Sequence, residues 1–274
     1  MYEVIFLWVL ALVWIIFAVF QDLKTREIAN WISFSLIIFA LGFRFFYSLF
    51  SNDFSFFYQG IIGLGIFFVL GNLFYYGKIF AGGDAKLMIA LGTILPIYPA
   101  FSSNLQIFFS FLLIFLITGF VYILISSIIL SIKNFKNFKK EFARQLKKNK
   151  KIMIAVFIIG LIFLLLSFFS DLALITGGVF IFSYLLYLYS KVVDESCMVR
   201  EIRAEHLREG DWLYSDLKIG NKIIKANWDG LTLGDIKRIR KKFKKIKIRQ
   251  GIPFSPNFLI SIVILIILIL TTFH

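Results

Sequence analysis

Cysteine occurs once, as Cys197, histidine twice and proline four times in 274 residues. A single thiol excludes an intrachain disulfide and any multi-cysteine zinc site. His206 and His274 are far apart and make no ligand pattern, so neither a metal nor a cofactor is expected. Acidic residues are scarce as well: 16 stand against 30 Lys and Arg, for a net charge of +14. No recognised nucleic-acid motif accompanies that charge, and nucleic acid is not an expected partner. The N-terminus has Glu3 where a basic n-region belongs and lacks a small-residue cleavage site. Its first hydrophobic run is therefore expected to be retained.

Apolar surface is abundant. The chain is 59% hydrophobic and 19% aromatic, with a mean hydropathy of +0.86. The hydrophobic runs are continuous rather than alternating, which points to membrane helices and against a barrel. Eight runs are read, at about 4–20, 31–50, 54–76, 85–100, 107–131, 152–170, 172–190 and 257–272. The fourth is short and interrupted by Pro96 and Pro99. Six spans remain an alternative, with the pair around Ser170 and Asp171 as a re-entrant hairpin. The expected fold class is an all-α polytopic membrane protein with a small α+β lobe.

Orientation follows from charge. With the N-terminus outside, all but one of the 30 Lys and Arg residues fall in the inside segments 21–30, 77–86, 132–151 and 191–252. The exception is Arg44, within the second run and about 9 Å from its outer end, where snorkelling to head groups is expected. The outside segments carry only Glu3, Asp53 and Asp171 as charges. Such a bias is the mark of cytoplasmic loops.

Five regions are expected: a membrane catalytic core (1–131), a basic interfacial segment (132–151), a helical hairpin (152–190), a basic lobe (191–252) and a final membrane helix (253–274). In the interfacial segment, Phe135, Phe138, Phe142 and Leu146 recur at helical spacing between cations, as in a helix lying on anionic lipid. In the lobe, 211–214 and 222–226 read as strands around a turn at Gly220-Asn221. Thr232 and Asp235 read as a helix cap, and 246–249 as a further strand. The first half of the lobe is rich in acids, Asp194, Glu195, Glu201, Glu205, Glu209, Asp211 and Asp216, which suit a basic peptide.

Two acids stand out. Asp22 follows the first run, and Asp84 ends Ala81-Gly82-Gly83-Asp84 before the fourth. The charge bias puts both on one membrane face. A carboxylate at a membrane boundary is costly to desolvate and is read as functional. Two that share a proton can activate water against an amide, one accepting a proton while the other polarises the carbonyl. Gly82 and Gly83 allow close approach of a substrate strand. Lys24, Arg26, Asn30, Asn72 and Lys86 are possible supporting residues. Arg208-Glu209-Gly210-Asp211 imitates part of this pattern within the lobe. A proton-coupled transporter or channel using the same aspartates as relay groups is the alternative, and a noncatalytic scaffold a third reading.

Asp22-Leu23-Lys24-x-Arg26-x-Ile28-x-Asn30, followed by Gly82-Gly83-Asp84-Ala85-Lys86-Leu87, resembles the type IV prepilin peptidase family, GxGD-type intramembrane aspartic peptidases. The basic lobe and Gly251-Ile252-Pro253-Phe254 resemble its archaeal branch, which processes preflagellins (prearchaellins) and archaeal prepilins. The resemblance implies that Asp22 and Asp84 are the catalytic pair. It also implies that the reaction removes a short basic leader, just before a hydrophobic helix, at the cytoplasmic face. Ala81 replaces the first glycine of GxGD, and Ala29 stands where a proline often precedes the asparagine. The cysteine-rich insert of the bifunctional bacterial members is missing, so peptidase without N-methyltransferase activity is expected. Whether the substrate serves an archaellum or a type IV pilus stays open.

Overall fold

A computed structural model describes residues 2–168, 170–219, 222–227 and 230–272. The chain divides into two compact units, residues 1–124 with 253–274, and residues 125–252.

The first unit is helical. Its elements are α1 (Tyr2–Thr25), α2 (Asn30–Ser51), α3 (Ser55–Tyr76), α4 (Gly82–Leu91), the first part of α5 (Phe101–Lys133) and, after the second unit, α10 (Ser255–Thr272). The core lies where α1, α2, α4, α5 and α10 meet, around Leu7, Ile15, Leu36, Met88, Phe111 and Phe258. The remaining faces are broadly apolar and exposed, as a lipid solvent requires.

Among the described residues, α1, α2, α3, α5 and α8 (Asp171–Cys197) are each long and apolar enough to cross a bilayer. The basic α6 (Phe135–Lys148) and the apolar α7 (Lys150–Leu166), bent by 74° at their junction, make a sixth if they count as one broken span. α10 is a shorter apolar helix. The molecule is thus a polytopic membrane protein with a small strand-containing region.

The fourth hydrophobic run departs from expectation. It forms a helix of only ten residues, α4, and then an irregular segment up to α5. Ten residues rise about 15 Å, half a bilayer. Pro96 and Pro99 cannot donate to a helical ladder. Irregular backbone at such depth must find partners inside the protein, and here it does. Arg44 of α2, fully buried, donates from Nε to Thr93 O (2.7 Å), from Nη1 to Phe56 O (2.8 Å), and from Nη2 to Ile94 O (3.3 Å) and Pro96 O. Its guanidinium also lies 4.2 Å from the centre of the Phe56 ring. Asn104 Oδ1 accepts the N–H groups of Ile97 (3.0 Å) and Tyr98 (2.9 Å), and Gln59 Nε2 donates to Pro99 O (3.0 Å). The two amides are joined by a 3.0 Å bond from Asn104 Nδ2 to Gln59 Oε1.

The expected snorkelling of Arg44 is therefore corrected. Its side chain points inward, because five donors in a planar fork match a cluster of unpaired carbonyls better than any other side chain does. Helix α4 also needs room against α3. A Cβ at Gly63 would sit 2.1 Å from the carbonyl oxygen of Gly92, so only glycine permits that approach.

The second unit holds the remainder of α5, then α6, α7, α8, and the lobe. The lobe comprises β1 (Val199–Arg203), β2 (Trp212–Leu213), β3 (Leu217–Ile219), β4 (Lys222–Ile224), α9 (Leu233–Lys242) and β5 (Lys245–Arg249). One antiparallel sheet has the order β1-β5-β2, and β3 pairs separately with β4. The expected pairing of 211–214 with 222–226 is not formed. Trp212 and Leu213 pair with Arg249 and Ile248, and Leu217 pairs with Ile224. Strand β5 alternates Lys-Ile-Lys-Ile and buries Ile246 and Ile248, so it serves as the central strand and takes a neighbour on each edge. The turn expected at Gly220-Asn221 lies outside the described residues. The cap on α9 is a reciprocal box between Thr232 and Asp235, as read from the sequence. On α6, Phe138 packs against Phe142 (6.0 Å) and Tyr189 of α8 (6.0 Å), so part of its apolar face meets protein.

Replacing Arg44 by leucine strands several carbonyls in an apolar interior. Arg44→Leu is expected to destabilise the first unit by about 3 kcal/mol or more, taking about 1–3 kcal/mol for each unsatisfied group. Thermal unfolding in detergent reads this, and an unchanged midpoint would contradict the described role.

Candidate functional site

Asp22 and Asp84 are both buried, 7% and 9% exposed. They lie at opposite ends of their own helices. Asp22 lies on the last turns of α1, which stops where Arg26 adopts a left-handed conformation (φ 62°) and returns its N–H to Asp22 O (2.8 Å). The Asp22 carboxylate reaches α10, where Oδ2 accepts the peptide N–H of Ser255 (3.2 Å). Asp84 is the third residue of α4, so its carboxyl sits at the N-terminal end of that helix. The N-termini of two helices thus face two acids, and their peptide dipoles favour negative charge there.

The two carboxyls are close enough for the charge of Asp22 to act on Asp84. Two buried carboxylates in mutual reach are costly to ionise together, and a single shared proton relieves the repulsion. Among the described residues no group of three or more His, Cys, Asp or Glu is arranged to hold a metal ion. The arrangement suits acid–base chemistry on water.

The neighbouring residues divide. Gly82 and Gly83 are the first two residues of α4. A Cβ on Gly83 would come 3.0 Å from Ile28 Cβ, so that glycine lets the loop between α1 and α2 lie against the start of α4. Lys86 Nζ donates to Asn30 Oδ1 (2.6 Å), tying α4 to the first residue of α2. Arg26 terminates α1, as described, and Lys24 is exposed on its last turn. Asn72 is not brought to the acids: its Nδ2 donates to Phe68 O of its own helix (2.7 Å). It lines an apolar groove of about 760 Å³ between α2, α3 and α4, together with Gly82, Ala85, Lys86 and Ile89. By helical spacing those four share one face of α4, and Asp84 lies on the other.

Three residues near the acids had no reading of their own in the sequence. Ser255 supplies the N–H to Asp22. Phe80 and Phe254 meet at 5.9 Å, joining the approach to α4 to the approach to α10. The placement of Asp22 inside a helix end, followed by an aromatic and Pro-containing entry to the last helix, was the available signal. Arg208-Glu209-Gly210-Asp211 is a structural turn: Asp211 Oδ2 accepts the Arg208 N–H (2.7 Å), Gly210 has φ 89°, and burial raises the Asp211 carboxyl above its usual range. Other acids of the lobe are engaged internally. Asp194 and Glu195 pair with Arg249 at 2.7 and 3.0 Å, and Asp216 Oδ1 accepts the Ala226 N–H.

Residues 9–129 match the type IV leader peptidase family. That segment contains both aspartates and the turn before α4. Three curated proteins named preflagellin peptidase are similar. One from Methanocaldococcus jannaschii is 34% identical over 84 residues, covering 31% of this chain and 36% of that protein. One from Methanococcus maripaludis is 29% identical over 130 residues, covering 45% and 56%. One from Methanococcus voltae is 27% identical over 135 residues, covering 47% and 58%. The chain thus spans from about a third to just under three fifths of these relatives' lengths. No solved structure matches.

The Lys86–Asn30 bond is expected to couple the two residues energetically. A double-mutant cycle of Lys86→Met and Asn30→Ala, read by thermal unfolding in detergent, should return about 1 kcal/mol. Strict additivity would show that the contact contributes nothing.

Proposed function

We propose that the protein is a membrane aspartic endopeptidase that removes a short basic leader from preflagellins (prearchaellins) or type IV prepilin-like precursors. The observation that carries this reading is the buried pair Asp22 and Asp84, with Asp84 at the start of α4, Asp22 hydrogen-bonded to the start of α10, and the two within each other's electrostatic reach. The family match over residues 9–129 and the preflagellin peptidase relatives support it. In the proposed reaction, the ionised aspartate takes a proton from water as the water attacks the scissile carbonyl. The protonated aspartate donates to the carbonyl oxygen. The tetrahedral intermediate then collapses as the amine leaves with a proton.

The topology that suits this reaction has the N-terminus outside and both aspartates at the cytoplasmic face, where a basic leader precedes membrane insertion. The distribution of Lys and Arg supports that orientation. Anionic lipids are the proposed partners of the basic face of α6. The single cysteine supports a peptidase without N-methyltransferase activity.

Leader removal from a prearchaellin or prepilin in liposomes tests the reading. Wild type is expected to cleave. Asp22→Asn and Asp84→Asn should each lose about 10²–10⁴-fold or more in kcat while keeping the wild-type melting midpoint. Cleavage by either variant at the wild-type rate would remove that aspartate from the mechanism.

A further inference from the structure

We infer that the N-terminus of α10 is part of the active site, and that Ser255, through its peptide N–H, is a positioning residue for Asp22. This rests on the reading of Asp22 and Asp84 as the reacting pair.

Asp22 Oδ2 accepts the Ser255 N–H at 3.2 Å, and Ser255 is fully buried. Helix α10 starts at that residue, so the positive end of its peptide dipoles lies at the carboxylate. The start of α10 is clamped from several sides. Tyr122 donates its hydroxyl to Pro253 O (2.9 Å). Asn257 Nδ2 donates to Phe115 O (3.0 Å). The Phe254 ring packs against Phe80 and Phe115 at 5.9 and 5.6 Å. A Cβ at Gly119 would come 3.0 Å from both Asn257 and Phe254, so the glycine sets how closely α5 approaches. A donor fixed this firmly holds a carboxylate in one orientation before substrate arrives.

The charges around Asp22 are few. Helices α2 and α10 pack on α1. Helix α10 carries no charged residue, and the one charge on α2, Arg44, is bound to the carbonyls beyond α4. Helix α4 brings Asp84, whose charge repels, and Lys86, which is bonded to Asn30. The chain around Asp22 itself adds Lys24, Arg26 and Glu27. The Ser255 N–H is thus a direct donor to a carboxylate that faces another acid. The Ser255 hydroxyl has no partner among the described residues, which assigns the task to the peptide group rather than the side chain.

The two contributions separate experimentally. Ser255→Ala removes the hydroxyl and keeps the N–H. Ser255→Pro removes the N–H at a helix start, where proline is conformationally suited. Full-length protein in liposomes is assayed for kcat and KM on a precursor substrate. Ser255→Ala should stay within about twofold of wild type. Ser255→Pro should lose about 10–100-fold in kcat with KM held within about twofold. If proline lowers the melting midpoint, an amide-to-ester replacement at position 255, made by nonsense suppression with the hydroxy-acid counterpart of serine, decides the matter. A wild-type kcat in the donor-less protein would overturn the inference, as would loss of activity in Ser255→Ala alone. Asp22→Asn is measured alongside. Wild-type cleavage by it would overturn the paired-carboxylate reading itself, whereas an inactive Asp22→Asn with an unaffected donor-less variant overturns only the role of α10.

Discussion

A backbone that leaves its helix inside a lipid-facing protein must find hydrogen-bond partners there, and in this chain Arg44, Gln59 and Asn104 supply them. The guanidinium gathers the carbonyls of Phe56, Thr93, Ile94 and Pro96, and the Gln59–Asn104 pair holds the peptide groups that follow. With the far end of α4 thus satisfied, the helix can stop after ten residues. The glycines of α3 let it lie close along its neighbour. A helix fixed at its C-terminal end presents its N-terminus at a fixed height, and Asp84 occupies that N-terminus.

The same economy of backbone groups appears at the acids. A carboxylate buried in an apolar bundle is unfavourable unless it is hydrogen-bonded or neutralised. Asp84 lies at the head of α4, and Asp22 accepts an N–H at the head of α10. Among the described residues, neither acid is in an ion pair with a lysine or arginine. Helix ends stabilise the charge without pairing it, which leaves the carboxylates able to exchange protons with water. The cluster of Phe80, Phe115, Phe254 and Phe258 packs the entries to both helices together. Local chemistry at the acids is thereby linked to the hydrophobic core beneath them.

Much of this was legible in the residues. Long apolar runs gave the membrane helices, because helical hydrophobicity is a signal of length and composition. The Thr232–Asp235 cap was readable because both partners lie within one turn. Asp22 and Asp84 were readable as an unusual charge at the end of an apolar run. What was hidden depends on distant pairing. Arg44 read as a snorkelling cation because its partners are carbonyls 12 to 52 residues away, and carbonyls leave no mark in a sequence. The strand partners in the lobe were misassigned because 211–214, 217–219 and 222–224 are all short and only the central position of β5 decides between them. Ser255 escaped notice because a peptide N–H belongs to every residue but proline.

The central claim is that Asp22 and Asp84 form one site rather than two separate capped helix ends. The most direct measurement replaces both by cysteine in a chain whose sole native thiol, the buried Cys197, is changed to serine. A short bis-maleimide, which adds one thiol at each end, is applied in liposomes, and the product is mapped by mass spectrometry after proteolysis. The account predicts an intramolecular bridge joining positions 22 and 84. Two cysteines that each react with single-thiol reagents but never bridge would contradict it.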